Sequence, residues 1–175
     1  WADFFVKHFC DEKKIEIIHI GVVIPNYEKS DYTDLNVLFL GRLGERKGTY
    51  DLLKVIPDVL KRIPNARFFF GGDGEVERCK ELAEKTGIAD NVSFLGWIRD
   101  AEREEYLKKC STFVLPSYHE GMPMSVLEAM SYGLATISTN AGGIPQIISQ
   151  GIDGYRVEAG DLKELETTLV RVLIS

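Results

Sequence analysis

Apolar positions along this chain come in short bursts, each followed by a glycine-bearing loop and then by residues at helical spacing. Val37, Leu38, Phe39 and Leu40 form a continuous apolar run, the pattern of a parallel strand buried on both faces. Gly41 ends it. Leu52, Leu53, Ile56, Leu60 and Ile63 then recur at helical intervals, with Thr49 placed as the N-cap and Pro57 predicted to kink the helix or split it in two. The cycle repeats with a strand at 66–70, a turn at 71–74 in which Asp73 is placed to cap the next helix, and a helix over 75–86 that Gly87 ends. Strands over 92–95, 112–115 and 135–138 alternate with helices over 102–109 and 124–131 and a short one over 145–149. A strand at 155–157 and an amphipathic helix at 162–173 close the chain. Ahead of these, 14–23 reads as a β-rich segment ending at Pro25, and 31–34 as a polar linker.

Strands alternating with crossover helices predict an α/β domain: an open parallel sheet with helices on both faces. Ligands of such sheets lie at the carboxyl ends of the strands, where the topology switches. Functional residues are therefore expected just after strands, and the glycine-rich punctuation falls there.

Composition narrows the field. The 175 residues, 45% of them hydrophobic and 27% charged, suit one globular domain that buries roughly 70% of its unfolded surface. A net charge of −6 argues against a general affinity for nucleic acid, which needs a basic face. No apolar run approaches the ~20 residues of a membrane span. Cys10, Cys79 and Cys110 lack C-x-x-C spacing and read as reduced, mostly buried thiols. His8, His19 and His119 are scattered, so no metal site is expected. The sequence begins at Trp1 and shows no signal peptide, and is expected to be a cytoplasmic piece of a longer protein.

Four post-strand loops carry candidate chemistry. In Gly41-Arg42-Leu43-Gly44-Glu45-Arg46-Lys47-Gly48, Arg42 and Lys47 offer two cations beside a helix start that itself favours an anion; a solvated basic loop would read the same. It is not a Walker A loop, and no G-x-G-x-x-G follows the first strand. Gly71-Gly72-Asp73-Gly74 permits close backbone approach to a ligand, or is a plain turn. Around 117–130, Glu120 and Glu128 stand seven residues apart, one in a loop and one about a turn into a helix. Two carboxylates so placed can accept hydrogen bonds from sugar hydroxyls while loop amides face a phosphate; alternatively Glu128 only complements the helix dipole. Asn140-Ala141-Gly142-Gly143-Ile144-Pro145 is another backbone-donor loop or a flexible connection.

In their order, these pieces resemble the donor-binding, C-terminal half of the GT-B retaining glycosyltransferases of family four, the group 1 glycosyltransferases. The resemblance runs over about residues 35–173: Gly-Arg-x₄-Lys-Gly, strand-Gly-Asp-Gly, Phe94-Leu95-Gly96-Trp97, Pro116-Ser117, Glu-x₇-Glu with Glu-Ala-Met, and Gly-Gly-x-Pro. Ile18-His19-Ile20-Gly21-Val22 looks like a divergent form of the family's short Asn-Gly-Val segment.

The resemblance implies a three-layer Rossmann-like domain over 35–175, preceded at 1–34 by a remnant of the interdomain segment and lead-in strand, with the N-terminal acceptor domain missing. It implies transfer from a nucleotide-diphosphate sugar, a UDP- or GDP-sugar, with no required cofactor or metal. Carried over residue by residue, the roles are as follows. Arg42 and Lys47, beside Gly41, bind the diphosphate and stabilise the leaving group. Glu120 holds the donor sugar, and with those two cations makes up the catalytic set. Glu128 holds the ribose, Gly121, Met122 and Pro123 line the pocket with backbone, and Gly72, Trp97 and Ile98 border the base. The acceptor (a glycan, lipid-linked glycan or small molecule) falls mainly to the missing half, as does a histidine that His119 does not replace; the whole protein is cytoplasmic, or peripheral at the inner membrane face. The chain departs from the family at Gly133-Leu134-Ala135, where Gly-x-Pro is usual, and at Gln146, where Glu is usual. A non-catalytic nucleotide-sugar-binding regulatory module and a GT-B-like epimerase are the alternatives.

Overall fold

A computed structural model describes residues 2–16, 18, 20–27 and 33–175. Six strands form one parallel sheet: β1 (Asn36–Leu40), β2 (Arg67–Gly71), β3 (Val92–Gly96), β4 (Thr112–Leu115), β5 (Ala135–Thr139) and β6 (Tyr155–Val157). Their order is β3-β2-β1-β4-β5-β6. The chain thus builds outward from β1 in one direction, returns, and builds outward from β4 in the other. Right-handed crossovers place α2 (Thr49–Arg62) and α3 (Val76–Lys85) on one face, and α4 (Asp100–Lys109) and α5 (Met124–Ser131) on the other. The last helix, α6 (Leu162–Leu173), packs on α2. This is the expected three-layer α/β architecture, and its switch point lies between β1 and β4.

The core explains why these segments are strands. Val37, Leu38 and Phe39 are at most 1% exposed, as a central strand covered on both faces requires. Phe39, Phe70 and Phe94 form a ladder across β1, β2 and β3, with successive ring centroids 5.4 Å apart. Full burial of Phe39 and Phe70 is worth about 1.5–3 kcal/mol each, and the half-buried Phe94 contributes less.

Several sequence expectations are corrected. Pro57 does not split α2, which runs unbroken to Arg62. Leu52, Leu53, Ile56 and Val59 are completely buried, and that packing outweighs the ~3 kcal/mol a mid-helix proline costs. Thr49 is not the N-cap: Gly48 takes that place at φ 67°, and the buried Thr49 hydroxyl accepts from the Gly44 N–H instead. Asp73 does not cap α3, whose side-chain cap is absent; its carbonyl accepts from the Leu43 N–H and ties the first two loops together. The β-rich reading of 14–23, and with it the lead-in strand within 1–34, fails among the described residues. Glu12–Lys14 is a 3-10 turn, and Ile18, Ile20 and Val23 are 85%, 56% and 90% exposed with no strand beside them to complete a ladder. His19 of the proposed Asn-Gly-Val counterpart, and residues 31 and 32 of the linker, lie outside the described residues. A short helix that the pattern did not predict, α1 (Ala2–His8), carries Phe4 and Phe5 at 47% and 45% exposure.

Candidate active site at the sheet switch point

The loops after β1 and β4 flank the switch point, and an ion pair joins them. Lys47 lies on a 3-10 turn, Glu45–Lys47, that the left-handed Gly48 ends. Its Nζ donates to both oxygens of Glu120, at 2.6 and 2.9 Å. The Ser117 hydroxyl donates to Glu120 Oε1 at 2.6 Å. The Lys47 and Glu120 side chains are 16% and 5% exposed, and Ser117 is fully buried. Among these described contacts two of the ammonium's three N–H donors are used, leaving a third for a ligand oxygen. Glu120 Oε1 accepts from both Lys47 and Ser117, so it is Oε2, with Lys47 alone, that keeps a lone pair. Sequence reasoning therefore found the two charged members of this cluster and quoted Ser117 without giving it a role.

Backbone packing sets the shape of these loops, and it explains the glycines. A Cβ at Gly48 would lie 2.0 Å from the Pro116 carbonyl oxygen, and one at Gly72 would lie 1.9 Å from that of Gly41. The loop after β5 packs against the loop that carries Glu120. Gly143 donates its N–H to the Gly121 carbonyl at 2.7 Å, and a Cβ at Gly142 would lie 2.0 Å from the Glu120 carbonyl oxygen. Asn140–Pro145 thus buttresses the loop that carries Glu120.

The remaining predicted residues divide. Pro123 is the N-cap of α5, and neither it nor any first-turn acid supplies a side-chain acceptor to the first-turn N–H groups. Those donors and the helix dipole face whatever lies beside Gly121 and Met122. Glu128 lies one turn further on, past the first turn, so it is not merely complementing the dipole; it pairs with Arg103 of α4 at 3.2 Å. Arg42 is exposed beside Glu75. Hydrogen bonds from Tyr50 and Arg78, and to a lesser degree the charge of Arg42, hold the Glu75 carboxyl below its ordinary range. Trp97 is 59% exposed and lies 5.7 Å from the Arg99 guanidinium, whereas Ile98 is buried against Gly71. The Glu120 carboxylate, the Lys47 ammonium and the uncapped start of α5 can together hold a diphosphate and a polyol, and the exposed Arg42 stands on the same loop as Lys47.

A cavity of about 860 Å³ opens beside α2 and α3, where Tyr50, Asp51 and Arg78 line it, and reaches the loops after β1 and β4 through Glu45, Arg46, Gly48, Tyr118 and His119. None of the predicted charged ligands lines it.

The family model for glycosyl transferases group 1 matches residues 23–175. The chain belongs to this family. An uncharacterised glycosyltransferase of Haemophilus influenzae is 30% identical over 161 residues, covering 91% of this chain and 45% of that protein. A phosphatidylinositol N-acetylglucosaminyltransferase subunit of Arabidopsis thaliana is 36% identical over 115 residues, 65% of this chain and 26% of its own. The chain therefore spans less than half the length of these relatives. In three dimensions the group 1 glycosyltransferase domain superposes on S. aureus TarM, in a complex with Fondaparinux, alpha-GlcNAc-glycerol and UDP, with a TM-score of 0.86 at 21% identity over 99% of this chain and 35% of that one. That likeness establishes the GT-B, Rossmann-like fold. Among the described residues no helix is long and apolar enough to cross a membrane.

Proposed function

We propose that this group 1 glycosyltransferase domain, over residues 35–175, is the donor-binding half of a retaining enzyme that moves a sugar from a nucleotide-diphosphate sugar to an acceptor. The Lys47–Glu120–Ser117 cluster across the switch point carries this reading. Arg42, the third Lys47 donor and the α5 start would take the diphosphate, while Glu120 takes sugar hydroxyls and Glu128 the ribose. The geometry suits the chemistry, because Lys47 sits between a carboxylate and the expected place of the phosphates and screens their repulsion. As the bond from the anomeric carbon to the diphosphate breaks and the acceptor hydroxyl forms the new one, negative charge grows on the leaving group, where fixed cations and amides stabilise it most. The donor is a UDP- or GDP-sugar, and TarM, bound to UDP, favours the first of these. The acceptor would be held largely by the further length those relatives possess, and the isolated chain would bind donor but transfer slowly. A calorimetric panel of UDP-, GDP- and ADP-sugars tests the reading: one saturable site for at least one of them supports it, and binding of none contradicts it.

A further inference from the structure

Arg103 belongs to no motif, yet it occupies a defined place. A cavity of about 500 Å³ between α4 and α5 is lined by Arg103, Glu128, Met124, Tyr132, Gly21 and Val22. Arg103 Nη1 lies 3.2 Å from Glu128 Oε1, with the two side chains 41% and 21% exposed. This pair joins two helices, unlike the Glu104–Lys108 pair within α4. Among the described residues no other ion pair or side-chain hydrogen bond involves the Glu128 carboxylate, and Oε2 keeps its acceptor capacity. The cavity rim also includes Asp100, which starts α4 at φ 44°. A non-glycine residue in that region is uncommon, and such strain concentrates at functional sites.

We propose that Arg103 is a positioning residue: it holds the Glu128 carboxylate in the one orientation that accepts both vicinal ribose hydroxyls, and so sets the preference for ribonucleotide over deoxyribonucleotide donors. Without the guanidinium, a glutamate with rotatable side-chain bonds samples several rotamers, and few of them present both lone pairs to a diol. The inference rests on the ribose role proposed for Glu128. It adds a second helix, α4, to the nucleotide site.

The test compares the affinities of UDP and 2′-deoxy-UDP, and of GDP and 2′-deoxy-GDP, for the wild-type chain, Arg103→Ala, Arg103→Lys, Glu128→Gln and the Arg103→Ala/Glu128→Gln double variant. Arg103→Ala is expected to lower the ribo-over-deoxy preference about threefold to tenfold, the span of one hydrogen bond's net worth. Arg103→Lys should recover part of it, and Arg103→Ala should add nothing once Glu128 is Gln, because the two act as a unit. Equal losses for ribo and deoxy ligands, no loss, a gain, or a full additional loss in the Glu128→Gln background would each overturn the positioning role. An unchanged preference in Glu128→Gln alone, or no binding of either diphosphate to wild type, would instead bring down the ribose reading on which it stands.

Discussion

Replacing Gly142 by Ala isolates the buttress under the Glu120 loop. Gly142 sits at φ 57°, and its added Cβ would meet the Glu120 carbonyl oxygen at 2.0 Å and that of Gly121 nearby, where ordinary contact begins at 3.4 Å. The left-handed backbone alone costs about 1–2 kcal/mol for a non-glycine residue. Forcing the 120–121 backbone away adds an overpacking cost of about 1–3 kcal/mol. Gly87→Ala is the matched control, because Gly87 has φ 71° but open space around its Cβ position. It should lose only the conformational part. Gly121→Ala, where nothing lies within 4 Å and φ is ordinary, should leave stability unchanged. Urea unfolding of the three variants measures this, and nucleotide titration of folded Gly142→Ala should show weakened binding as the Glu120 loop moves. If Gly142→Ala is no less stable than Gly87→Ala and binds nucleotide normally, the loop after β5 does not hold the site in shape.

The two cations should behave differently when removed. Arg42 is exposed, so Arg42→Ala should weaken UDP or GDP binding by ~1.5–3 kcal/mol by calorimetry with no change in urea midpoint. Lys47→Ala leaves the 5%-exposed Glu120 carboxylate with Ser117 alone, so it should lose binding and also about 2–3 kcal/mol of stability, less than a fully buried pair because Lys47 is partly exposed. Burial, its main cause, pushes the Cys79 thiol from 9.0 up to about 11. The neutral thiol is thus favoured by folding, so its contribution is complete below pH 9 and is lost as pH rises through about 11. Unfolding free energies measured across that window should fall less steeply in Cys79→Ala. With a thiol reagent at pH 8, Cys10 should react in the folded chain and Cys79 and Cys110 only on unfolding.

Much of the fold was legible because glycine and proline bound each apolar run: β4, α5, β6 and α6 fall where the pattern put them. The failures have physical causes. The apolar residues of 14–23 alternate as a strand does, but a strand needs an edge to pair with, and local pattern does not reveal whether one exists. Thr49 has the chemistry of a cap, yet the left-handed Gly48 moved its hydroxyl onto Gly44. At the site, the residues with charge and spacing were visible, and their mutual contacts were not. Ser117 under Glu120 and Arg103 on Glu128 come together only through the tertiary fold, 73 residues separating even Lys47 from Glu120. The glycine-rich loops read equally as room for a ligand or as plain turns, and at Gly48, Gly72 and Gly142 the missing side chain makes room for a neighbouring loop.

The most direct measurement is a crystal structure of this chain with UDP or GDP bound. The account predicts the diphosphate between the Arg42–Lys47 loop and the start of α5, within hydrogen-bonding reach of Lys47, with the ribose hydroxyls on Glu128. Nucleotide seated instead in the cavity between α2 and α3, against Tyr50 and Arg78, would contradict it.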